Sequence, residues 1–235
     1  MTNTATNKAL IDALAAGDSG FIDDLSAGGA TKRWTPPQMT TFIEANISNV
    51  PAGTTINSLA IDFAGKQTKW ISANDMIAAT TSGAATAQLE TTTNKINYKV
   101  FDFDASADEF VHFDVAFPKS WNEGTVSFQA FWESTATDTD GVAWGLQGVF
   151  VSDNVAADTA YGVPVVVTDN AQSAAGELYV TSESSAITIS GTPSVDGVVN
   201  FRLLRDVSDA NDVMTEDARL RGVKLFFTTD AGNDD

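Results

Sequence analysis

The chain's one histidine, His112, stands two residues before Asp114 in Val111-His112-Phe113-Asp114-Val115. A general base is a histidine oriented by one partner and aimed at another. Here the apolar residues alternate, so His112 and Asp114 share the polar side of a strand, and the reading is a solvated or interface side chain. A Ser triad would have to use this same histidine. Gly17-Asp18-Ser19-Gly20 has the letters of a Ser nucleophile loop, but it stands at the end of a helical stretch without the rest of that motif. Ala64-Gly65-Lys66 lacks the upstream Gly and the downstream Ser/Thr of a phosphate-binding loop. With no cysteine in the chain, disulfides, thiolate metal sites and a Cys nucleophile are excluded. The chain reads as non-enzymatic, and no catalytic, cofactor-binding or metal-ligating residue is assigned.

Carboxylates are the reactive groups in abundance: 31 Asp/Glu against 13 Lys/Arg, a net charge of −18. Asp102, Asp104, Asp108 and Glu109 crowd one turn, Asp138 and Asp140 another, and Asp206, Asp209, Asp212, Glu216 and Asp217 a long polar stretch. Oxygen clusters of this kind can hold Ca²⁺ with help from backbone carbonyls. None has EF-hand spacing, since Ala136 occupies the place of the earlier Asp before Asp138-Thr139-Asp140-Gly141. No cofactor is expected, with Ca²⁺ as the alternative; the expected role of these loops is solvation and pairing with Arg202, Arg205, Arg219 and Arg221. A glycosidase needs two carboxylates at the right separation, which 31 acidic residues neither establish nor exclude.

The charge is uneven. Residues 1–100 carry 7 basic against 8 acidic residues, whereas residues 101–235 carry 6 against 23. Between Lys119 and Arg202 there is no basic residue, which argues against nucleic acid as a partner, because that affinity comes from clustered Lys and Arg. The acidic excess itself speaks to solubility and colloidal repulsion. The first residues, with Asp12 breaking a short apolar run, do not read as a secretory signal, and no run approaches the roughly 18–20 apolar residues of a membrane helix; no membrane insertion is expected.

The elements that must position these groups change along the chain. Residues 5–16 place Leu10, Ile11 and Leu14 on one side of a short helix closed by Gly17, and residues 35–47 form a second, with Thr35 as cap, Pro36 in the first turn and a stripe of Met39, Phe42, Ile43 and Ile47. Then strands follow, expected at 58–63, 69–72, 96–103, 110–117, 125–133, 142–152, 164–168, 177–181, 186–190, 198–205 and 220–228. Residues 78–93, small and polar, read as an extended loop, linker or chain-crossing segment. The expected fold is mainly β, an antiparallel jelly-roll-like sandwich preceded by a short helical amino-terminal attachment segment. The expected organisation is an attachment segment over 1–55, a connector with short strands over 56–95, and the sandwich over 96–235. Trp121, Trp132 and Trp144 fall among alternating strand residues and are assigned to the core. Trp34 and Trp70 are the better surface candidates for stacking on sugar, and Phe131, on the polar side of its strand, is placed to meet another subunit.

Several separated blocks carry a resemblance over residues 69–230. Pro118, Lys119, Trp121, Asn122 and Gly124 form one, Trp144, Gly145, Leu146 and Gln147 another, and Arg205, Asp206 and Arg219 a third. Together they resemble a β-domain of tailed-bacteriophage virion proteins of marine and environmental origin. The resemblance implies a virion structural protein assembled in the host bacterial cytoplasm: a displayed tail- or head-fibre appendage with an adhesion role. A capsid decoration protein is the first alternative, and a hydrolase of surface polysaccharide the second. It also implies a homotrimer whose partners are other virion proteins and a host cell-surface glycan or protein, and it carries over no catalytic residue.

Overall fold

The computed structural model describes residues 22–23, 31–32, 65–232 and 234. The chain divides into two compact units, Met1–Ile61 and Asp62–Asp235. In the first, β1 (Ile22–Asp23) and β2 (Thr31–Lys32) pair antiparallel. The helices expected over 5–16 and 35–47, the strand expected over 58–63 and Trp34 lie outside the described residues.

The second unit is mainly β, as its alternation dictates. Its strands are β3 (Gly65–Ser72), β4 (Ile77–Ala78), β5 (Ala85–Glu90), β6 (Asn97–Phe103), β7 (Glu109–Val115), β8 (Ser127–Ser134), β9 (Gly141–Ser152), β10 (Val165–Asn170), β11 (Tyr179–Val180), β12 (Gly197–Arg205) and β13 (Ala218–Thr229). A 3₁₀ turn, Ala73–Asp75, is capped reciprocally by Ser72 and Asp75. The strands form two antiparallel sheets. One has the order β10-β9-β12-β7-β4, and the other runs β11-β8-β13-β6-β5 with β3 also on β13. In the second sheet, β13 pairs with β8 over Ala218–Phe226, with β6 over Ala218–Leu220, and with β3 over Gly222–Thr229. Because β8 holds one edge throughout, β6 and β3 must share the other, end to end.

The sheets pack face to face through their inward residues, giving the jelly-roll-like sandwich. Val111, Phe113 and Val115 of β7 and Phe201 and Leu203 of β12 meet Phe128, Ala130 and Trp132 of β8 and Leu220, Val223 and Leu225 of β13 in one buried cluster. The aromatic rings interlock: Trp144 stands edge-on to Phe103 with centroids 5.1 Å apart, and Trp121 stacks on Phe117 at 4.2 Å. Trp121, Trp132 and Trp144 are all core residues. Residues 78–93, read from sequence as a loop, contain β5, a sheet-edge strand. Its Ala, Thr and Gln side chains leave no bulky apolar alternation to detect. Conversely, residues 186–190 make isolated bridges, Val126↔Ile187 and Val149↔Ser190, in place of a strand.

A single charged pair closes one end of the sandwich. Arg205, at the end of β12, is 0% exposed, and all five of its N–H groups are used. Nε donates to Asp212 Oδ2 at 3.0 Å, Nη2 to Asp212 Oδ1 at 2.7 Å and to the Met214 carbonyl at 2.6 Å, and Nη1 to the carbonyls of Phe103 and Glu216 at 3.2 and 2.9 Å. Asp212 Oδ2 also accepts from Ala143 N at 3.0 Å. The pair thus ties β12 and β9 of one sheet to β6 of the other through the loop 206–217. Removing one partner of a buried pair leaves an uncompensated charge, which costs about 3–5 kcal/mol. Asp212→Ala should therefore lower the unfolding free energy by about that amount in urea titrations. Asp206→Ala, which removes a turn contact to the Ser208 amide and hydroxyl, should change it by less than about 1 kcal/mol.

Candidate functional site

The outward face of the six-stranded sheet carries an exposed aromatic surface. On β3 the alternation that buries Ile71 turns Lys66, Thr68 and Trp70 outward, and Trp70 is 47% exposed. Register places Trp70 opposite Lys224 of β13, and Lys224 opposite Gln129 of β8. One residue pair along, Ser72, Gly222 and Phe131 form the next row. The Trp70 indole crosses between the rows and meets the Phe131 ring edge-on, with centroids 4.9 Å apart and planes at 78°. Gly222 makes this crossing feasible, because a Cβ there would lie 2.6 Å from both Cζ2 and Cη2 of Trp70. The benzo ring therefore rests over bare backbone.

Charged and polar groups surround the two rings. Lys224 Nζ lies 5.3 Å from the Phe131 centroid, and the Arg221 guanidinium sits 3.8 Å over the ring of Tyr98. Gln129 donates through Nε2 to the Thr181 carbonyl at 2.9 Å, which fixes its amide. Lys66 lies 4.5 Å over Phe226 and pairs with Glu183, which also accepts from Ser127. Arg219 pairs with Asp102 at 2.9 Å. Glu133 is 1% exposed; Tyr98 donates to its Oε2 at 3.3 Å, while Oε1 has no partner among the described residues. Burial pushes the Glu133 carboxyl above its ordinary value of 4.5, opposed by Arg221 and by the Tyr98 hydrogen bond.

The other sheet's outward face holds His112. It pairs across β12 with Arg202, and Arg202 in turn with Gln147 of β9. His112 Nδ1 lies 3.2 Å from the Tyr161 hydroxyl, and the Arg202 guanidinium is held between the rings of Phe110 and Tyr161, 4.6 and 4.8 Å from their centroids. With the Gln147 amide oriented to suit its neighbours, its oxygen accepts from Arg202 Nε and Nη2 and its nitrogen donates to the Gly162 carbonyl, each at 2.7 Å. This ring-and-guanidinium stack pins the segment carrying Tyr161 and Gly162 to the sheet. His112 is thus half-buried beneath Tyr161 instead of freely solvated. Burial and the Arg202 charge hold it below its ordinary value of 6.5, against the pull of Asp114.

The acidic turns are occupied by local bonds. Asp104 accepts from the Ser106 amide at 2.6 Å, Glu109 from Asp104 N at 2.8 Å, Asp108 from Val207 N at 3.1 Å, Asp138 from Asp140 N at 3.1 Å and Asp209 from Asn211 N at 2.8 Å. Among the described residues no three acidic or histidine side chains converge as a metal site. Of the arginines expected to pair with carboxylates, Arg205 and Arg219 do so, whereas Arg202 and Arg221 stack on aromatic rings. Sequence alternation puts Phe131 on the polar side of its strand and singles out Trp70 as a surface candidate. It missed Tyr98 and Lys224, and it gave no sign that Trp70 meets Phe131.

No family model matches the chain, and no curated protein matches it in sequence. Similar solved structures include the CBM36-1 domain of a multidomain xylanase from the hindgut metagenome of Trinervitermes trinervoides, at 11% identity and a TM-score of 0.36, covering 68% of this chain and 96% of that one. A family 35 carbohydrate-binding module from Clostridium thermocellum follows at 9%, 0.40, 68% and 97%, and the CBM22-2 xylan-binding domain of Paenibacillus barcinonensis Xyn10C at 12%, 0.39, 66% and 92%. These comparisons overturn the expected kinship with tailed-phage virion proteins, and with it the displayed appendage and its decoration-protein alternative. These three similar structures are carbohydrate-binding modules. The homotrimer and the virion partners rested on that kinship alone and lose their support. There is a physical reason for the misreading. The blocks that carried it are packing devices: Trp121 stacks on Phe117, Trp144 stands edge-on to Phe103, and Gly145 makes room for Leu204, whose Cδ2 would lie 2.9 Å from a Cβ. Such residues report a packed sandwich and say nothing of its task.

Two titrations of opposite sign follow from the buried groups. Glu133 binds its proton more tightly folded than unfolded, so its contribution to stability is full below about 4.5 and declines as pH rises from there through its folded value. His112 binds its proton less tightly folded, so its contribution is full above 6.5 and is lost as pH falls from there. In melting curves collected from pH 4 to 8, Glu133→Gln should gain on the wild type toward high pH, and His112→Gln toward low pH.

Proposed function

We propose that the sandwich is a non-catalytic glycan-binding module whose ligand lies across Trp70 and Phe131. The observation that carries this reading is the half-exposed indole of Trp70, held over Gly222 and against Phe131 on a rigid sheet. A pyranose ring presents a face of C–H bonds and a rim of hydroxyls. The first packs on an aromatic surface, and the second needs directed donors and acceptors, since hydroxyls that lose water without partners cost affinity. Around Trp70 both are within one or two strand rows: the aromatic pair supplies the apolar surface, and Gln129, Lys224 and Arg221 supply polar groups. The similarity to carbohydrate-binding modules agrees with this reading without locating the ligand.

The design suits binding without turnover. The groups around the rings are fixed by neighbouring side chains or backbone, and the reading assigns none of them a bond-making role. It needs no metal.

Binding is tested with the full chain against a panel of soluble plant, algal and microbial polysaccharides by affinity electrophoresis and calorimetry. Trp70→Ala should lower the unfolding free energy by about 1 kcal/mol, through loss of the edge-on pair with Phe131, and leave the protein folded. It should weaken binding about 30-fold or more, the size expected for an aromatic hot spot. A panel in which no polysaccharide binds, or in which Trp70→Ala binds as well as the wild type, would overturn the reading.

A further inference from the structure

We infer that the glycan taken by this face is an anionic one, bearing carboxylate or sulfate groups that Arg221 and Lys224 receive; the inference rests on the glycan-binding reading above. The first observation is where the scarce positive charge lies. Residues 101–235 carry 6 basic against 23 acidic residues, and three of those six, Arg219, Arg221 and Lys224, stand on the one strand that runs beneath Trp70 and Phe131. Lys66 of β3 adds a fourth cation to the same sheet face. A chain of net charge −18 repels anions at long range, so an anion-binding patch on it must be built locally.

The second observation separates structural cations from available ones. Lys66 is committed to Glu183, and Arg219 to Asp102. Arg221 and Lys224 have no carboxylate within 4.0 Å among the described residues. Both are anchored by aromatic rings, Tyr98 and Phe131 respectively, which orients a cation without neutralising it. They flank Gly222, the backbone position over which Trp70 lies. A sugar stacked on Trp70 would therefore have a cation on each side along β13.

The third observation concerns the nearest acid. Glu133 faces Arg221 and Arg219 from β8, with Asp102 opposing from β6 and Tyr98 donating to it. At 1% exposure it lies beneath these groups, so its carboxyl is kept from the surface on which an incoming anion would lie.

The test compares three probes against the full chain at low and moderate salt: an oligogalacturonate, the same oligosaccharide as its neutral methyl ester, and a sulfated galactan oligosaccharide. The expected result is that at least one anionic probe binds about tenfold or more tightly than the methyl ester, as one or two charge-assisted hydrogen bonds would give. That preference should weaken as salt rises, and which anionic probe gains tells carboxylate from sulfate recognition. Arg221→Gln/Lys224→Met should erase the preference while leaving the weaker, Trp70-dependent binding of the ester; Lys224→Glu alone, at a partly exposed position, should reverse it. If the ester binds as tightly as both anionic probes, or if the preference survives in both variants, the inference fails while the glycan-binding reading stands. If Trp70→Ala changes the binding of none of the three, both fail together.

Discussion

Strand β13 is the spine of the six-stranded sheet, and it carries one residue more than a regular strand would. Ala218 and Leu220 point inward; after Arg221 the inward set becomes Val223, Leu225 and Phe227. The pairing with β8 shifts between Leu220 and Gly222 to absorb the extra residue. Without that shift, a strict period of two would turn the second half of the strand inside out. The bulge has a second consequence at the surface. Arg221 keeps the outward direction that alternation gives it, over Tyr98, and the bulge sets Gly222 in register with Ser72 and Phe131, the place where a side chain would strike Trp70. Core and candidate site thus depend on the same local irregularity.

The acidic excess is resolved by a similar economy of position. Several carboxylates that look on paper like a repulsive cluster accept bonds from turn amides that would otherwise need water. Two are matched with arginines, and the two pairs differ in kind. Asp102–Arg219 is partly exposed and contributes little to stability by itself. Asp212–Arg205 is sealed, and its strength lies in geometry: a guanidinium with five satisfied donors holds three carbonyls and a carboxylate at fixed positions. The long acidic loop is in this way a structural part of the sandwich edge.

Much of the fold was legible because half-buried strands write themselves at a period of two. Strands β7, β8 and β12 alternate large apolar and polar residues, and their spans are close to those expected. Strand β5 was illegible because its residues are small and it lies at a sheet edge, where little is buried. The site was legible only in pieces. Exposure of Trp70 and the outward direction of Phe131 follow from local alternation, but their contact depends on a register across three strands that no local pattern encodes. Arg221 was read as a partner for carboxylates because the ring it stacks on, Tyr98, comes from β6, a distant segment of the sequence that no local pattern links to it.

Whether such a face can bind anything depends on what is already ordered before a ligand arrives. Immobilising a mobile side chain costs about 0.5–1.5 kcal/mol each, and an exposed flexible tryptophan would lose much of its stacking energy to that cost. Trp70 is held by a ring at 4.9 Å and by a backbone with no Cβ beneath it, Gln129 by a carbonyl, and Arg221 and Lys224 by aromatic faces. The face is therefore pre-organised, with the ordering entropy met during folding.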